Sequence, residues 1–455
     1  MNNDKVLDRC GLFGLYGSNV SEAAKIIYYG LFSLQHRGTE ASGICVHDDG
    51  QFKYKKDKGL VTEVFDKESI DRMGGHMGIG HVLRYAGQDA VENAQPIVIR
   101  YTKGHMAVAL NGGLTNTEEL RRDLELKGAV FQTLEAAEVV SVLISRARNQ
   151  CSTIEEAIAK VMPELKGGYA LLVMTPRKVI GVRDPKGIRP LVFGKKGDTY
   201  YFSSETCAFN ELGIEFEREV APGEILVAGQ KGVYSLNSRQ PDTKSAICAF
   251  EYIYHSRPDS VFNGVEIYKA RSAMGREMAA QAPADADGVV WVPDSGLAAA
   301  EGYAAAMGLP LVDAFIKNKY FGSKLMKPDE GMFAKGINMK LSVIQSNVKG
   351  LKLAVVDDSM IQGTTAKIFV AALRHAGAKE IHLRICAPMV RYDCLYGAST
   401  PDRPMGGNQD TEEEICRSIG ADSVKFLSLE GLKKACGGCD QGFCSACFDG
   451  DYPVK

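Results

Sequence analysis

In the first half of the chain, apolar residues fall in short runs bounded by glycine, proline and charge. Tyr169–Met174 and Val179–Val182 are two such runs and predict strands. At Glu138–Arg148 the apolar side chains recur with helical period instead. A second helix is expected from Ser152, because Ser-Thr-Ile-Glu matches a capping box ahead of Ala157, Ile158 and Val161. The second half has another texture. Gly288–Val292 reads as a buried strand, Pro293–Gly296 as a loop, and Leu297–Met307 as an alanine-rich helix stopped by Gly308. The unit recurs as strand Leu353–Val356, loop Asp357–Gly363, helix Thr364–His375, stop Gly377 and strand Ile381–Cys386. Such alternation predicts an α/β domain, a parallel sheet with helices on its faces. The change of texture sets a domain boundary near Ser238–Lys244, a polar stretch containing Pro241. Asp402–Asn408 is expected to be a surface insertion.

The length of 455 residues suits two or three domains, and 45% apolar residues is ordinary globular usage. A formal net charge of −2 argues against an electrostatic nucleic-acid binder. No apolar run approaches the roughly 20 residues of a membrane-spanning helix. Met1–Arg9 is too polar for a secretory signal, so a cytoplasmic location is expected. In a reducing compartment, twelve cysteines point to metal or catalysis before disulfides.

The stretch from Val355 to Thr365 carries the clearest chemistry. Asp357 and Asp358 fall where a parallel strand ends, the edge at which open α/β sheets bind ligands. Gly363-Thr364-Thr365 then opens a helix, whose free N–H groups and dipole suit a phosphate. Carboxylates beside such a cradle suit ribose hydroxyls or magnesium. A solvated Asp-Asp turn before a capped helix is the plain alternative. This stretch resembles the phosphoribosyl-diphosphate signature of type I phosphoribosyltransferases. Val292–Gly296 with Glu301-Gly302-Tyr303, and Phe250–Tyr254 with Ser256–Ser260, are similar to segments of the amidophosphoribosyltransferase family. The resemblance implies that Ser295, Asp357 and Asp358 serve the magnesium–diphosphate substrate, and that Gly363, Thr364 and Thr365 hold its 5′-phosphate.

Near the other end, Cys10-Gly11-Leu12-Phe13-Gly14 follows the charged leader. Cleavage after Arg9 would give Cys10 a nucleophile and a base in one residue. Its α-amine, with an ordinary pKa of about 8, can take the thiol proton at neutral pH. Gln35–Gly38, Asn93–Pro96, Asn111–Gly113, Arg183–Pro185, Arg189–Leu191 and Ser203–Ala208 resemble motifs of the class II glutamine amidotransferase domain. That domain is an N-terminal-nucleophile fold of four layers, α/β/β/α. The resemblance implies an oxyanion hole from Asn111 and the Gly112 N–H. A hairpin turn is the alternative for Asn-Gly-Gly.

Several positions depart from the family. Gly80-His81-Val82-Leu83-Arg84-Tyr85-Ala86-Gly87 displaces by one residue the Arg that pairs with the substrate carboxylate, so Arg84 would take that role only if the loop shifts. The Asp that binds the substrate amino group is replaced by Ala136, leaving Glu135 as the substitute. Gln362 stands where Arg is common, and Lys319 and Lys324 in Asn318–Lys324 replace arginines of the loop that covers the substrate.

Cys436, Cys439, Cys444 and Cys447 have the spacing of a metal knuckle, compatible with zinc or an iron–sulfur cluster. The resemblance offers another set. A subgroup of the family carries a [4Fe–4S] cluster on ligands matching Cys248, Cys394, Cys444 and Cys447.

The resemblance thus implies a leader over residues 1–9, an amidotransferase domain over 10–240 and a transferase domain with a cluster-binding tail over 241–455. Ammonia from glutamine would meet phosphoribosyl diphosphate to give 5-phosphoribosylamine, the first committed step of purine synthesis. A homo-oligomer inhibited by purine nucleotides is implied as well. The alternatives are a paralogue fed by free ammonia or another amine, and a non-catalytic nucleotide or phosphoribosyl-diphosphate sensor.

Overall fold

The computed structural model describes residues 10–84, 91–237, 245–317, 341–398, 410–437 and 442–454. The leader, the 238–244 boundary, the 402–408 insertion, Tyr85–Gly87, Lys319, Lys324 and Cys439 lie outside the described residues.

The first half builds two antiparallel sheets. In the seven-stranded sheet, Cys10–Gly17 runs between Thr199–Ser203 and Met77–Leu83, with Cys10 opposite Leu83. In the six-stranded sheet, Gly104–Leu114 runs between Ile97–Tyr101 and Gly167–Thr175. The inner faces meet through Leu12, Ala107, Ala109, Leu172 and Phe202. Helix Ala23–Ser33 covers the outer face of the first sheet with Ile27 and Leu31 against Phe13. Helices Ala136–Arg148 and Ile154–Val161 cover the second with Val140, Ile144, Ala157 and Ile158. These are the four layers, α/β/β/α, that the motifs imply.

The Ile154–Val161 helix corrects one expectation. Its N-cap is Thr153, not Ser152: the Thr153 hydroxyl accepts from the Glu156 N–H at 3.2 Å. The Glu156 carboxylate reaches back to the Ser152 N–H at 2.9 Å. Ser152 stands three residues before Glu155 just as Thr153 does before Glu156, so the pattern fits either, and the backbone starts the helix one residue later.

The second half holds a five-stranded parallel sheet, in the order Leu311–Val312, Gly288–Trp291, Lys352–Asp357, Glu380–Ile385, Ser423–Phe426. Helices Ile267–Gln281 and Leu297–Met307 pack on one face, Thr364–His375 and Glu412–Ile419 on the other. The first pair touches backbone to backbone: a Cβ on Gly275 would lie 1.8 Å from the Ala299 carbonyl oxygen, and one on Gly302 would lie 1.9 Å from that of Ser272. Among the described residues, no helix is long and apolar enough to cross a membrane.

Candidate active sites

Cys10 opens its strand and is buried, packed with Ala41, Leu83 and Ala94. Its carbonyl accepts from Arg37 Nε at 3.1 Å. Asn111 and Gly112 lie inside the long Gly104–Leu114 strand, which excludes the hairpin turn. Gly112 holds φ +112°, and a Cβ there would lie 2.1 Å from the Gly168 carbonyl oxygen, so the position admits only glycine. Asn111 is fully buried, and its amide has no hydrogen-bond partner among the described residues. A buried amide left unpaired costs free energy, and a free N–H donor is what an oxyanion needs.

His81 links this strand to the nucleophile's sheet. It stands opposite Leu12, and its Nε2 lies 3.1 Å from the Leu110 carbonyl, so that nitrogen carries the proton. Burial pushes its pKa down to about 3 and keeps the ring neutral. Gln95 makes a second link. Its Oε1 accepts from the Leu110 N–H at 2.7 Å, and its Nε2 donates to Glu135 at 3.2 Å. Glu135 precedes the Ala136–Arg148 helix, on a loop pinned by Glu138, which accepts from the Gln132 and Thr133 N–H groups at 2.9 and 2.7 Å. Ala136 carries no polar group, so Glu135 is the carboxylate beside Gln95. The strand Met77–Leu83 ends at Leu83, and Arg84 follows in a bend with Nη1 donating to the His36 carbonyl at 3.1 Å. Because Arg84 lies past the strand, strand alternation does not dictate its direction.

A buried charge cluster joins the two halves. Arg37 Nη1 meets Glu205 at 2.6 Å and Glu251 at 3.0 Å, while Nη2 meets Glu251 at 2.9 Å. Glu205 also takes the Arg257 N–H at 2.9 Å and the Ser260 hydroxyl at 2.7 Å. Burial works to raise the Glu205 pKa, but His36 and Arg37 outweigh it and hold the carboxyl well below its usual range. Arg271 donates to the carbonyls of Tyr252 at 2.9 Å and Ser256 at 2.8 Å. None of Arg37, Glu205, Glu251 and Arg271 was singled out from the sequence. The first three lie inside the quoted motifs, which were read as signatures rather than as charges that must find one another.

In the second half, Asp357 ends its strand and Asp358 follows, both buried. The Asp358 N–H donates to Asp357 Oδ1 at 2.9 Å and the Ser359 hydroxyl to Asp358 Oδ1 at 2.6 Å. Burial rules out a solvated Asp-Asp turn. Gly363, at φ +69°, is the N-cap of Thr364–His375, which leaves the N–H groups of that first turn facing outward from the helix end. Ser295 is brought alongside: Trp291 pairs with Val356, and a Cβ on Gly296 would lie 2.8 Å from the Val356 carbonyl oxygen. A buried acidic pair on a sheet edge, near a phosphate cradle, fits magnesium held jointly with substrate phosphates.

Cys248, Cys394, Cys444 and Cys447 line one small cavity with Arg189, Phe250 and Tyr452. Strand pairing sets Cys248 directly beside Cys444. The N–H groups of Arg391 and Tyr392 bond the Cys447 carbonyl at 2.8 and 3.1 Å. Burial, with the neighbouring sulfurs adding to it, pushes the Cys248 and Cys447 thiols well up. Among the described residues, no group of three or more His, Cys, Asp or Glu side chains is placed to hold a metal ion. The four thiols share one cavity, and thiolates are the donors an iron–sulfur cluster takes.

A glutamine amidotransferase domain family matches residues 82–211. Over 98% of its length the chain is 41% identical to the amidophosphoribosyltransferase of Methanocaldococcus jannaschii, covering 98% of that protein. It is equally identical to the Bacillus subtilis amidophosphoribosyltransferase, covering 94% of it. The fold superposes with a TM-score of 0.93 on a structure of the B. subtilis glutamine phosphoribosylpyrophosphate amidotransferase complexed with ADP and GMP, at 41% identity and 98% coverage of both chains. Identity at that level from end to end goes beyond a shared fold: the chain belongs to the amidophosphoribosyltransferase family.

Proposed function

We propose that this chain frees ammonia from glutamine at Cys10 and joins it to C1 of phosphoribosyl diphosphate. The products are 5-phosphoribosylamine, glutamate and diphosphate, at the first step of purine synthesis. The reading rests on family membership together with one observation, the buried junction in which Arg37 binds both the Cys10 carbonyl and Glu251 of the transferase half.

Removal of residues 1–9 exposes the Cys10 amine, which takes the thiol proton as sulfur attacks the side-chain amide. Asn111 and the Gly112 N–H receive the developing oxyanion. Arg84 pairs with the α-carboxylate of glutamine and Glu135 with its ammonium. Ammonia leaves, and water releases glutamate from the thioester. In residues 241–455, Gly363, Thr364 and Thr365 hold the 5′-phosphate on backbone N–H groups. Asp357, Asp358 and Ser295 would hold magnesium, which when bound neutralises charge on the departing diphosphate. Ammonia arrives on the face opposite that leaving group, and a closed route between sites keeps it from water. Cys248, Cys394, Cys444 and Cys447 would hold a [4Fe–4S] cluster, a structural tie between the tail and the transferase sheet. The B. subtilis relative is complexed with ADP and GMP; purine nucleotides are accordingly proposed as inhibitors here, in a cytoplasmic homo-oligomer.

The test is phosphoribosylamine formation by anaerobically purified protein with glutamine and with ammonium salt in parallel. Comparable rates support the full reaction. Ala136, in place of the family's Asp, favours the second reading, a paralogue fed by free ammonia; activity with ammonium alone would establish it. No diphosphate release with either donor would leave the sensor.

A further inference from the structure

The segment Asn93-Ala94-Gln95 touches the Cys10 strand, the Gly104–Leu114 strand and the loop that carries Glu135. Asn93 Oδ1 accepts from the Leu134 N–H at 3.2 Å, Ala94 packs on Cys10, and Gln95 spans from Leu110 to Glu135. The segment is itself held in place. Lys56 Nζ donates to the Ala94 carbonyl at 2.5 Å. Gly43 lets the Gln95 backbone approach its strand, since a Cβ there would lie 2.1 Å from the Gln95 carbonyl oxygen. Gln95 is buried, so its amide cannot exchange these partners for water.

The amide can be oriented in only one way. The Leu110 N–H is solely a donor, so the Gln95 carbonyl oxygen must face it. The Gln95 NH2 is thereby turned to Glu135 as a donor. One side chain thus measures the offset between the strand that carries Asn111 and the carboxylate on the neighbouring loop. That offset is what this chain must fix, because its carboxylate comes from position 135 with Ala136 beside it.

We propose that Gln95 is a positioning residue for glutamine recognition: it holds the Glu135 carboxylate in register with the oxyanion strand. The proposal rests on Glu135 binding the substrate ammonium. A neutral donor at 3.2 Å favours the charged carboxylate. A carboxylate in place of the amide would face Glu135 at hydrogen-bond distance, and the two would share a proton.

The experiment compares the processed full-length enzyme with Glu135→Gln, Gln95→Leu and Gln95→Glu, each assayed with glutamine and with ammonium from pH 6 to 8.5. Glu135→Gln is expected to raise the glutamine KM about tenfold or more. Gln95→Leu should raise KM by a smaller factor with no new pH dependence. Gln95→Glu should bring a new fall in glutamine kcat/KM as pH drops below about 7, because the two carboxylates then hold one proton and one charge between them and Glu135 no longer faces the ammonium fully ionised. A loss of packing alone would not move that profile. The ammonium rate reports folding of each variant; if Gln95→Glu loses it, the KM of Gln95→Leu decides. An unchanged profile in Gln95→Glu with unchanged KM in Gln95→Leu overturns the role of Gln95 while leaving Glu135 in the pocket. An unchanged KM in Glu135→Gln removes the carboxylate reading itself, and the proposal falls with it.

Discussion

Cys10 and Asn111 lie on strands in the interior of a four-layer domain, whereas Asp357, Asp358 and Gly363–Thr365 lie on a loop and helix start at the edge of an open sheet. The first site is framed by the buried side chains of Arg37, His81 and Gln95 and by the half-buried Glu135. The second, on the proposed reading, would take its phosphate contacts from backbone N–H groups at a helix start, which every residue type but proline supplies. A departure from the family therefore weighs differently in the two halves. Gln362 in place of Arg leaves the phosphate cradle's N–H groups in position. On the proposed reading, Ala136 in place of Asp would leave the substrate ammonium without its partner unless a neighbouring carboxylate is held there for it.

The largest test of this contrast is Cys10→Ala. Glutamine-dependent synthesis should fall by about 10³-fold or more, since no other group supplies both nucleophile and base, while ammonium-dependent synthesis persists. Loss of both rates would show that the halves are not separable. Asp357→Asn with Asp358→Asn should do the converse, lowering both rates by about 10²-fold. Glutamine and ammonium kinetics on the same preparations distinguish the two patterns.

A smaller effect is expected from Cys444→Ser. Iron and sulfide content should fall together, and the thermal midpoint with them, because the tail loses its tie while the phosphate loop stays intact. Stoichiometric zinc with no iron in the parent protein would replace the cluster by a mononuclear site.

These contrasts explain which features were legible from the sequence. Helices Leu297–Met307 and Thr364–His375 have the bounds that their glycine stops and apolar period predict. Each is a local signal, set within a few residues of its own ends. The stretch from Asp357 to Thr365 was legible as structure for the same reason, since strand end, acidic pair, glycine and helix start are contiguous. The nucleophile pocket was legible only through motifs. Gln95, Leu110 and Glu135 are far apart in the chain, and nothing in the local pattern says that one amide bridges the other two. The Thr153 cap was missed by one residue because Ser and Thr stand side by side and only geometry chooses between them. The charge cluster of Arg37, Glu205 and Glu251 was missed because each residue alone reads as a solvated charge, and burial is a property of the assembled fold.

The smallest effect concerns His81, and it separates the halves by pH. Its folded pKa is about 3, held down by burial, against an ordinary value of about 6.5 when unfolded. Between those values the unfolded chain binds the proton and the folded chain does not. Stability is therefore lost as pH falls below about 6.5, and the loss stops once pH passes the folded value. For this one group the change between pH 7 and pH 5 is about 2 kcal/mol. In His81→Gln, whose amide N–H can still reach the Leu110 carbonyl, the unfolded chain gains no such proton. The variant should lose less stability than the parent over that interval, by one proton's slope, and taking the difference cancels groups elsewhere in the chain. The functional consequence follows from position. His81 supports the strand that carries Asn111, so brief exposure to pH 5 should reduce glutamine-dependent synthesis before ammonium-dependent synthesis. His81→Gln should narrow that gap. If acid instead removes both activities in step, the two sites share one unfolding unit, and the buried junction through Arg37 and Glu251 makes the halves a single body.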